Sequence, residues 1–372
     1  MSADGFIELA DGRRFFGRWL GEPPGSPVVG EVVFNTALTG YQEICTDPSY
    51  AGQIVVLTYP LIGSYGAAPL WRESALPALR GLVVRQAESA SHREAVMELG
   101  AFLGAHGVPV LTEVDTRALT RCLRDRGTEV GVLHAGARPL SDAVRGELTG
   151  GFSLAGIVDT VSTPHAYVVD GAGPTVAVVD YGLKTGILDE LSRRGFRVVV
   201  LPASITASEL ASVRADGVVL SNGPGDPGDL VDRLDLVREA VEHHPTLGIC
   251  LGHQLVALAA GGRTFPLKFG HHGSNHPVRD EKTGRVDITS HNHGYAVDGA
   301  RLPEGYRVRF TNLNDNTVEG LEHEHRPVLT VQHHPEAGPG PHDAARIFDE
   351  FASFVHGAHT QDGSDGRTAP HA

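Results

Sequence analysis

Gly248-Ile249-Cys250-Leu251-Gly252-His253-Gln254 is the stretch on which the reading of this chain turns. Just before it, Thr246–Ile249 is a short apolar run of strand type, and residues 251–260 after it have helical character. A G-x-C-x-G sequence between a strand and a helix has the form of a nucleophile elbow with cysteine in place of serine. The tight turn lifts the side chain out of a sheet, and the flanking glycines give it room. A helix N-terminus directly behind the sulfur favours its anionic, nucleophilic form. Cys45 and Cys122 lie in no such turn and read as buried, inert thiols.

Upstream of the elbow, short apolar strands alternate with helices. Residues 176–180, 197–201 and Gly217–Leu220 read as strands, and 184–194 and 230–243 as helices. This alternation predicts an α/β fold with a doubly wound, mostly parallel sheet, whose sites form at the carboxyl ends of its strands. The first half reads as a separate mixed α/β domain. Residues 6–9 and 13–19 form a strand pair about Asp11-Gly12, with further strands at Val28–Asn35, 54–57 and 108–111. Helical periodicity spans 94–105, and Thr116–Arg126 is a helix with Asp115 as its N-cap and Gly127 as its stop. Thr163-Pro164 and Gly171-Ala172-Gly173-Pro174 mark a seam. The expected organisation is therefore residues 1–172, residues 173–356 and a loose tail at 357–372.

Composition agrees with two folded units. The 372 residues exceed the roughly 250–300 that one core supports. Hydrophobic content of 41% and charged content of 20% are those of a globular chain. A net charge of −14 without a dense Lys/Arg run argues against nucleic acid. No stretch approaches the ~18 apolar residues of a membrane span, and Met1-Ser2-Ala3-Asp4-Gly5 does not begin a secretory signal, so a cytoplasmic address is expected.

Cofactor motifs fail on inspection. Gly223-Pro224-Gly225-Asp226-Pro227-Gly228 matches G-x-G-x-x-G, but Pro224 and Pro227 remove the donors that a pyrophosphate needs. Gly182-Leu183-Lys184-Thr185 resembles the end of a P-loop, but its first glycine is replaced by Ala177. The pairs His243-His244 and His271-His272 lack Cys or carboxylate partners at a ligand spacing, so no metal is expected.

A cysteine nucleophile needs a base and a group to orient it. His334-Pro335-Glu336, just after the strand Val328–Val331, supplies both. His333 is the adjacent candidate, and spacing to Glu336 does not choose between them. Backbone N–H groups for an oxyanion are expected from Leu251, the residue after the nucleophile, and from Gly223 in the loop at 221–227.

With these residues the chain resembles the small, glutamine-hydrolysing subunits of carbamoyl-phosphate synthase, which are class I (triad type) glutamine amidotransferases. In the first half the resemblance rests on Gly30-Glu31-Val32-Val33-Phe34-Asn35-Thr36, Thr39-Gly40-Tyr41-Gln42-Glu43-Ile44 and Thr46-Asp47-Pro48-Ser49-Tyr50. In the second it rests on the elbow, Lys268-Phe269-Gly270-His271-His272-Gly273, Asn292-His293-Gly294-Tyr295 and His334-Pro335-Glu336. The resemblance implies a Cys250, His334 and Glu336 triad. It also implies L-glutamine binding by Ser49, Gly223, Gly225, Leu251, Gln254, Asn292, Gly294 and Tyr295. No cofactor is implied in this chain. ATP and Mg belong to a large partner subunit, which combines the released ammonia with bicarbonate as carbamoyl phosphate for arginine or pyrimidine synthesis. Departures are Thr185-Gly186 after Lys184, where the family often has Arg-Asn, and Ser91-His92, Thr112-Glu113-Val114 and Tyr295. Two rivals are a subunit feeding a different synthase and a regulatory binding protein without hydrolysis. The first half argues against one, and the intact Cys250, His334 and Glu336 against the other.

Overall fold

The computed structural model describes residues 4–136 and 140–365. Among the described residues the first half contains nine strands: β1 (Asp4–Leu9), β2 (Arg14–Trp19), β3 (Val28–Asn35), β4 (Gln53–Leu57), β5 (Leu61–Ile62), β6 (Gly81–Val83), β7 (Gln86–Ala87), β8 (Val110–Thr112) and β9 (Glu129–Ala135). All but the short pair β5 and β7 close into a barrel of order β1-β2-β8-β6-β4-β3-β9. Strand alternation sends Val33, Val55 and Leu57 toward Tyr41, Ile44 and Phe102, and Val32, Phe34, Ile54 and Val56 toward Leu119 and Leu123. The helix Thr116–Arg126 has its expected bounds, with Asp115 Oδ1 accepting from Ala118 N at 3.0 Å. The periodicity at 94–105 yields a helix only over Leu99–Ala105.

The second half contains β10 (Tyr167–Val169), β11 (Thr175–Asp180), β12 (Arg197–Pro202), β13 (Gly217–Leu220), β14 (Thr246–Ile249), β15 (Thr264–Asp280), β16 (Val286–Val297), β17 (Tyr306–Asn312), β18 (Val318–His323) and β19 (Val328–Val331). They form one ten-stranded sheet of order β10-β12-β11-β13-β14-β19-β18-β16-β15-β17. The run β12-β11-β13-β14-β19 is parallel. Its alternating side chains feed two cores. Ala177 and Val179 pack with the helices Ala207–Val213, Leu234–His243 and Leu251–Ala259. Val176 and Val178 pack with Ile187 and Leu191 on one helix and with Phe348 and Phe351 on the last.

Three expectations need correction. The sheet is parallel only in that central run, because β15 to β18 form an antiparallel arm continuing from β19. The sheet's first strand, β10, precedes the seam expected at residue 172, since it pairs antiparallel with β12. The last helix runs over Arg346–Asp365 and so occupies much of the expected tail, whose residues 366–372 lie outside the described residues. Among the described residues no helix is long and apolar enough to cross a membrane.

The two halves are joined by polar contacts. Thr36 N donates to His272 O at 3.1 Å and Thr128 N to Lys268 O at 2.9 Å.

A buried guanidinium helps hold the arm to the last helix, beside a second tie from Arg346 to Asp287 at 2.6 Å. Arg309 on β17 donates to Asp280 at 2.9 and 3.1 Å, to Glu322 at 2.9 Å and to Glu350 at 2.9 and 3.1 Å. Burial pushes the Asp280 carboxyl up, but Arg309 outweighs it and holds the group at about 2, below its ordinary 3.8. Arg309→Met leaves the buried Asp280 with the more distant Arg346, at 3.5 Å, as its cationic partner and should cost up to about 3–5 kcal/mol, measured by urea unfolding. The Asp280 contribution is present above pH 3.8 and lost as pH falls through about 2, so the deficit should narrow on the acid side of that window.

Candidate active site

Cys250 sits between β14 and the helix Leu251–Ala259 with φ 52° and ψ −102°, a conformation that side chains rarely adopt. The surroundings enforce it. Cys250 N donates to Val331 O at 2.8 Å, tying the turn to β19, and Gly252 N donates to Ser221 O at 3.1 Å, tying it to the end of β13. A Cβ on Gly252 would collide with the Leu220 carbonyl, and one on Gly248 would lie 2.9 Å from Gly252 O. Glycine is therefore required on both sides of the cysteine. The thiol points toward Asn292 O at 3.7 Å and receives Gln332 Nε2 at 3.6 Å.

His334 follows β19 by three residues. Its N–H donates to Ser290 O at 2.9 Å, so β16 sets its position. Its Nδ1 lies 2.6 Å from Glu336 Oε1. Its Nε2 has no hydrogen-bond partner among the described residues, and the Cys250 thiol lies near enough to influence its titration. Burial opposes charge on His334, but Glu336 reverses this and holds the imidazolium to about 10. Glu336 in turn is held at about 2 against its burial, with Lys184 the main cause and His334 the second. His333 points elsewhere. Its ring packs edge-on against Phe310 at 5.7 Å, and burial keeps it neutral, with its pKa lowered to about 3. Geometry thus pairs Glu336 with His334, which spacing left open.

A cavity of about 500 Å³ opens at Cys250, of the size of a small-molecule site. Ser49, Gly223, Gly225, Gln254, Asn292, Gly294 and Tyr295 all line it. Leu251 is buried beneath, at the first turn of its helix, where backbone N–H groups have no partner within the helix. Gly223 is a forced glycine, because a Cβ there would strike the Tyr181 carbonyl. Ser49 is brought in from the first half on a single turn capped by Asp47, and its Oγ accepts from Asn222 Nδ2 at 2.9 Å. The Asn292 side chain is engaged by Asp47 Oδ2 at 3.1 Å and His272 Nδ1 at 2.9 Å. Gln254 Nε2 donates to Tyr295 O at 2.9 Å and Gln332 Oε1 at 3.0 Å.

Sequence reasoning missed Lys184 as a site residue. Its buried Nζ lies 3.1 Å from Glu336 Oε1, 2.5 Å from Ala337 O and 3.9 Å from Glu73 Oε1. Glu73 belongs to the first half, and Thr185 and Gly186 receive it: Thr185 N donates to its carbonyl at 2.8 Å and Gly186 N to its carboxylate at 3.0 Å. A Cβ on Gly186 would lie 3.1 Å from Glu336 Cγ, so the departure at 185–186 is a seat for Glu73 beside the charged pair. One signal was available. Lys184 is one of only three lysines among 31 basic residues, in a chain that otherwise uses arginine. A compact point charge suits a buried slot that a guanidinium would overfill.

Comparisons with known proteins agree with this architecture. The model for the carbamoyl-phosphate synthase small chain, CPSase domain, matches residues 7–133, and that for class-I glutamine amidotransferases matches residues 177–354. The carbamoyl phosphate synthase small chain of Symbiobacterium thermophilum is 49% identical over 355 residues, covering 93% of this chain and 97% of its own. That of Listeria monocytogenes serovar 1/2a is 46% identical over 353 residues, covering 94% and 96%. That of Streptococcus pneumoniae serotype 4 is 46% identical over 351 residues, covering 94% and 97%. With its barrel and its elbow-bearing sheet each matched in order, the chain belongs to the carbamoyl phosphate synthase small chain family and carries a class-I glutamine amidotransferase domain.

Proposed function

We propose that this chain hydrolyses L-glutamine and delivers the ammonia to a large, ATP-dependent partner subunit that makes carbamoyl phosphate from it and bicarbonate. The observation that carries the reading is the buried His334–Glu336 pair beside Cys250, which itself lines a cavity drawn from both halves of the chain.

The Cys250 thiolate attacks the side-chain amide carbon of glutamine. The oxyanion that forms is received by the N–H groups of Leu251 and Gly223. The His334 imidazolium gives its proton to the departing nitrogen, and ammonia leaves with formation of a γ-glutamyl thioester. Neutral His334 then takes a proton from water, which attacks the thioester and releases glutamate. Glu336 holds the imidazole and compensates its charge, while Lys184 keeps Glu336 ionised. Ser49 and Gln254, which line the cavity, bind the amino acid end of the substrate in this reading. In this division of labour ATP and Mg stay with the partner, and the complex acts in the cytoplasm.

His334→Asn should lower glutaminase kcat by roughly 100- to 10,000-fold, and His333→Asn should change it little. Steady-state assays of the two variants rank them, and the reverse order would move the base to His333.

Ser49→Ala should remove a substrate hydrogen bond worth about 0.5–1.5 kcal/mol, raising KM for glutamine roughly 2- to 12-fold with a smaller effect on kcat. An unchanged KM would take Ser49 out of the binding site.

In complex with its large subunit, Cys250→Ala should make no carbamoyl phosphate from glutamine. It should retain synthesis from added ammonium, bicarbonate and ATP, because ammonia from solvent bypasses the triad. An intact complex, checked by size exclusion, without ammonium-dependent synthesis would count against the carbamoyl phosphate reading.

A further inference from the structure

A second convergent cluster lies in the antiparallel arm, behind the strand that carries Asn292. His291 and His293 flank Asn292 on β16, His271 stands across from His293 on β15, and Glu319 comes from β18. All four side chains are buried, and one potential ligand atom from each lies within 4.8 Å of the others.

Hydrogen bonds fix which ring atoms face inward. His271 Nε2 lies 2.8 Å from Asp315 Oδ2, and His293 Nδ1 lies 2.8 Å from Tyr295 O. A carbonyl only accepts, so His293 Nδ1 carries the proton. The Thr289 hydroxyl donates to His276 O at 2.9 Å, so toward His291 Nε2, at 2.7 Å, it must accept. That assigns the His291 proton to Nε2. In the neutral rings, His291 Nδ1 and His293 Nε2 are therefore both bare lone pairs, and they face each other at 3.2 Å. Two acceptors at that distance repel unless a cation lies between them. His271 Nδ1 and Glu319 Oε2 also lack hydrogen-bond partners among the described residues, although both are buried.

The spacing suits a metal. With metal–nitrogen bonds of about 2.0–2.1 Å, the edge of a tetrahedral ligand set is about 3.3–3.4 Å. Three separations are already near this: 3.2 Å between His291 and His293, 3.5 Å between His271 Nδ1 and Glu319 Oε1, and 3.6 Å between His291 Nδ1 and Glu319 Oε2, the last two to different oxygens of one carboxylate. One ligand atom from each of the four residues lies within 4.8 Å of the others, so the side chains must close in on an ion to reach a tetrahedral edge throughout. Each imidazole also has the outer partner that metal-bound histidines have: the Asp315 carboxylate, the Thr289 hydroxyl or the Tyr295 carbonyl.

We propose that His271, His291, His293 and Glu319 form a closed, tetrahedral zinc site that fastens β15, β16 and β18 together behind the glutamine pocket. Four protein ligands leave no open position, so the ion is structural and takes no part in hydrolysis. The site contradicts the expectation of no metal, which weighed only neighbouring histidines and could not join ligands from three strands.

The test is metal analysis of the untagged full-length chain, stripped with chelator and reloaded with Zn²⁺. The wild type and Cys250→Ala should each retain about one zinc per chain after gel filtration, the latter excluding the thiol as the ligand. His291→Gln and Glu319→Gln should each retain a small fraction of that. Loading with Co²⁺ should give the visible ligand-field absorption of a tetrahedral site in the wild type and not in these variants. Zn²⁺ should raise the melting temperature of the wild type and leave that of His291→Gln unchanged. Far-UV circular dichroism establishes that the variants are folded, and the wild-type result stands without them. Failure of the wild-type chain to retain Zn²⁺ or Co²⁺, or equal retention by folded His291→Gln and Glu319→Gln, would overturn the proposal.

Discussion

The charge on Glu336 organises the interior of this protein. A carboxylate taken out of water costs several kcal/mol unless it is paired and hydrogen-bonded. Glu336 is fully enclosed, and Lys184 and His334 share the task of pairing it. Each comes from a different part of the chain: Lys184 from the turn after β11, His334 from just beyond β19. Lys184 also faces Glu73, a carboxylate that burial pushes up to about 7 despite the lysine. One ammonium therefore serves two acids, one from each half of the molecule. The pose of the His334 imidazole and the seating of the barrel on the sheet are solutions to the same electrostatic problem.

The cysteine turn adds a steric constraint. A backbone at φ 52° is strained for cysteine, by roughly 1–3 kcal/mol, and persists because neighbours on β13 and β19 over-determine it. The antiparallel arm completes the assembly. It contributes Ser290, which positions His334, and Asn292, whose carbonyl faces the thiol. The arm thus reaches the site, and the Arg309 cluster ties that same arm to the last helix.

What could be read from sequence was whatever adjacent residues decide among themselves. The elbow is such a case in its pattern, since Gly248 is required by contact with Gly252 in the same turn, although Gly252 is required by the Leu220 carbonyl of β13. So is the helix Thr116–Arg126, whose cap and stop lie within one residue of its ends. Runs that are buried on both faces, such as Gly217–Leu220 and Thr246–Ile249, were found to the residue. The arm was not legible. Its long strands carry Gly, His and Asn instead of alternating apolar residues, and β15 shifts register between Pro266 and His271 and again between Gly273 and His276. The assignment of cavity residues to glutamine came from family resemblance. Their supports, Asp47, Asn222, Lys184 and Gln332, are joined by contacts between distant segments that no local pattern encodes.

The sharing of one cavity between two folded halves has a consequence for how the chain is made. During synthesis the barrel emerges first and can close, since its strands all precede residue 136. Ser49 is then in place with no Asn222 to hold it. Cys250 follows, but β19 and His334 come near the end of the chain, after the whole arm. A ribosome-bound intermediate thus carries the Cys250 thiol before the His334–Glu336 pair has been made. The last strand to arrive in the sheet, β19, is the one whose Val331 carbonyl fixes the Cys250 turn.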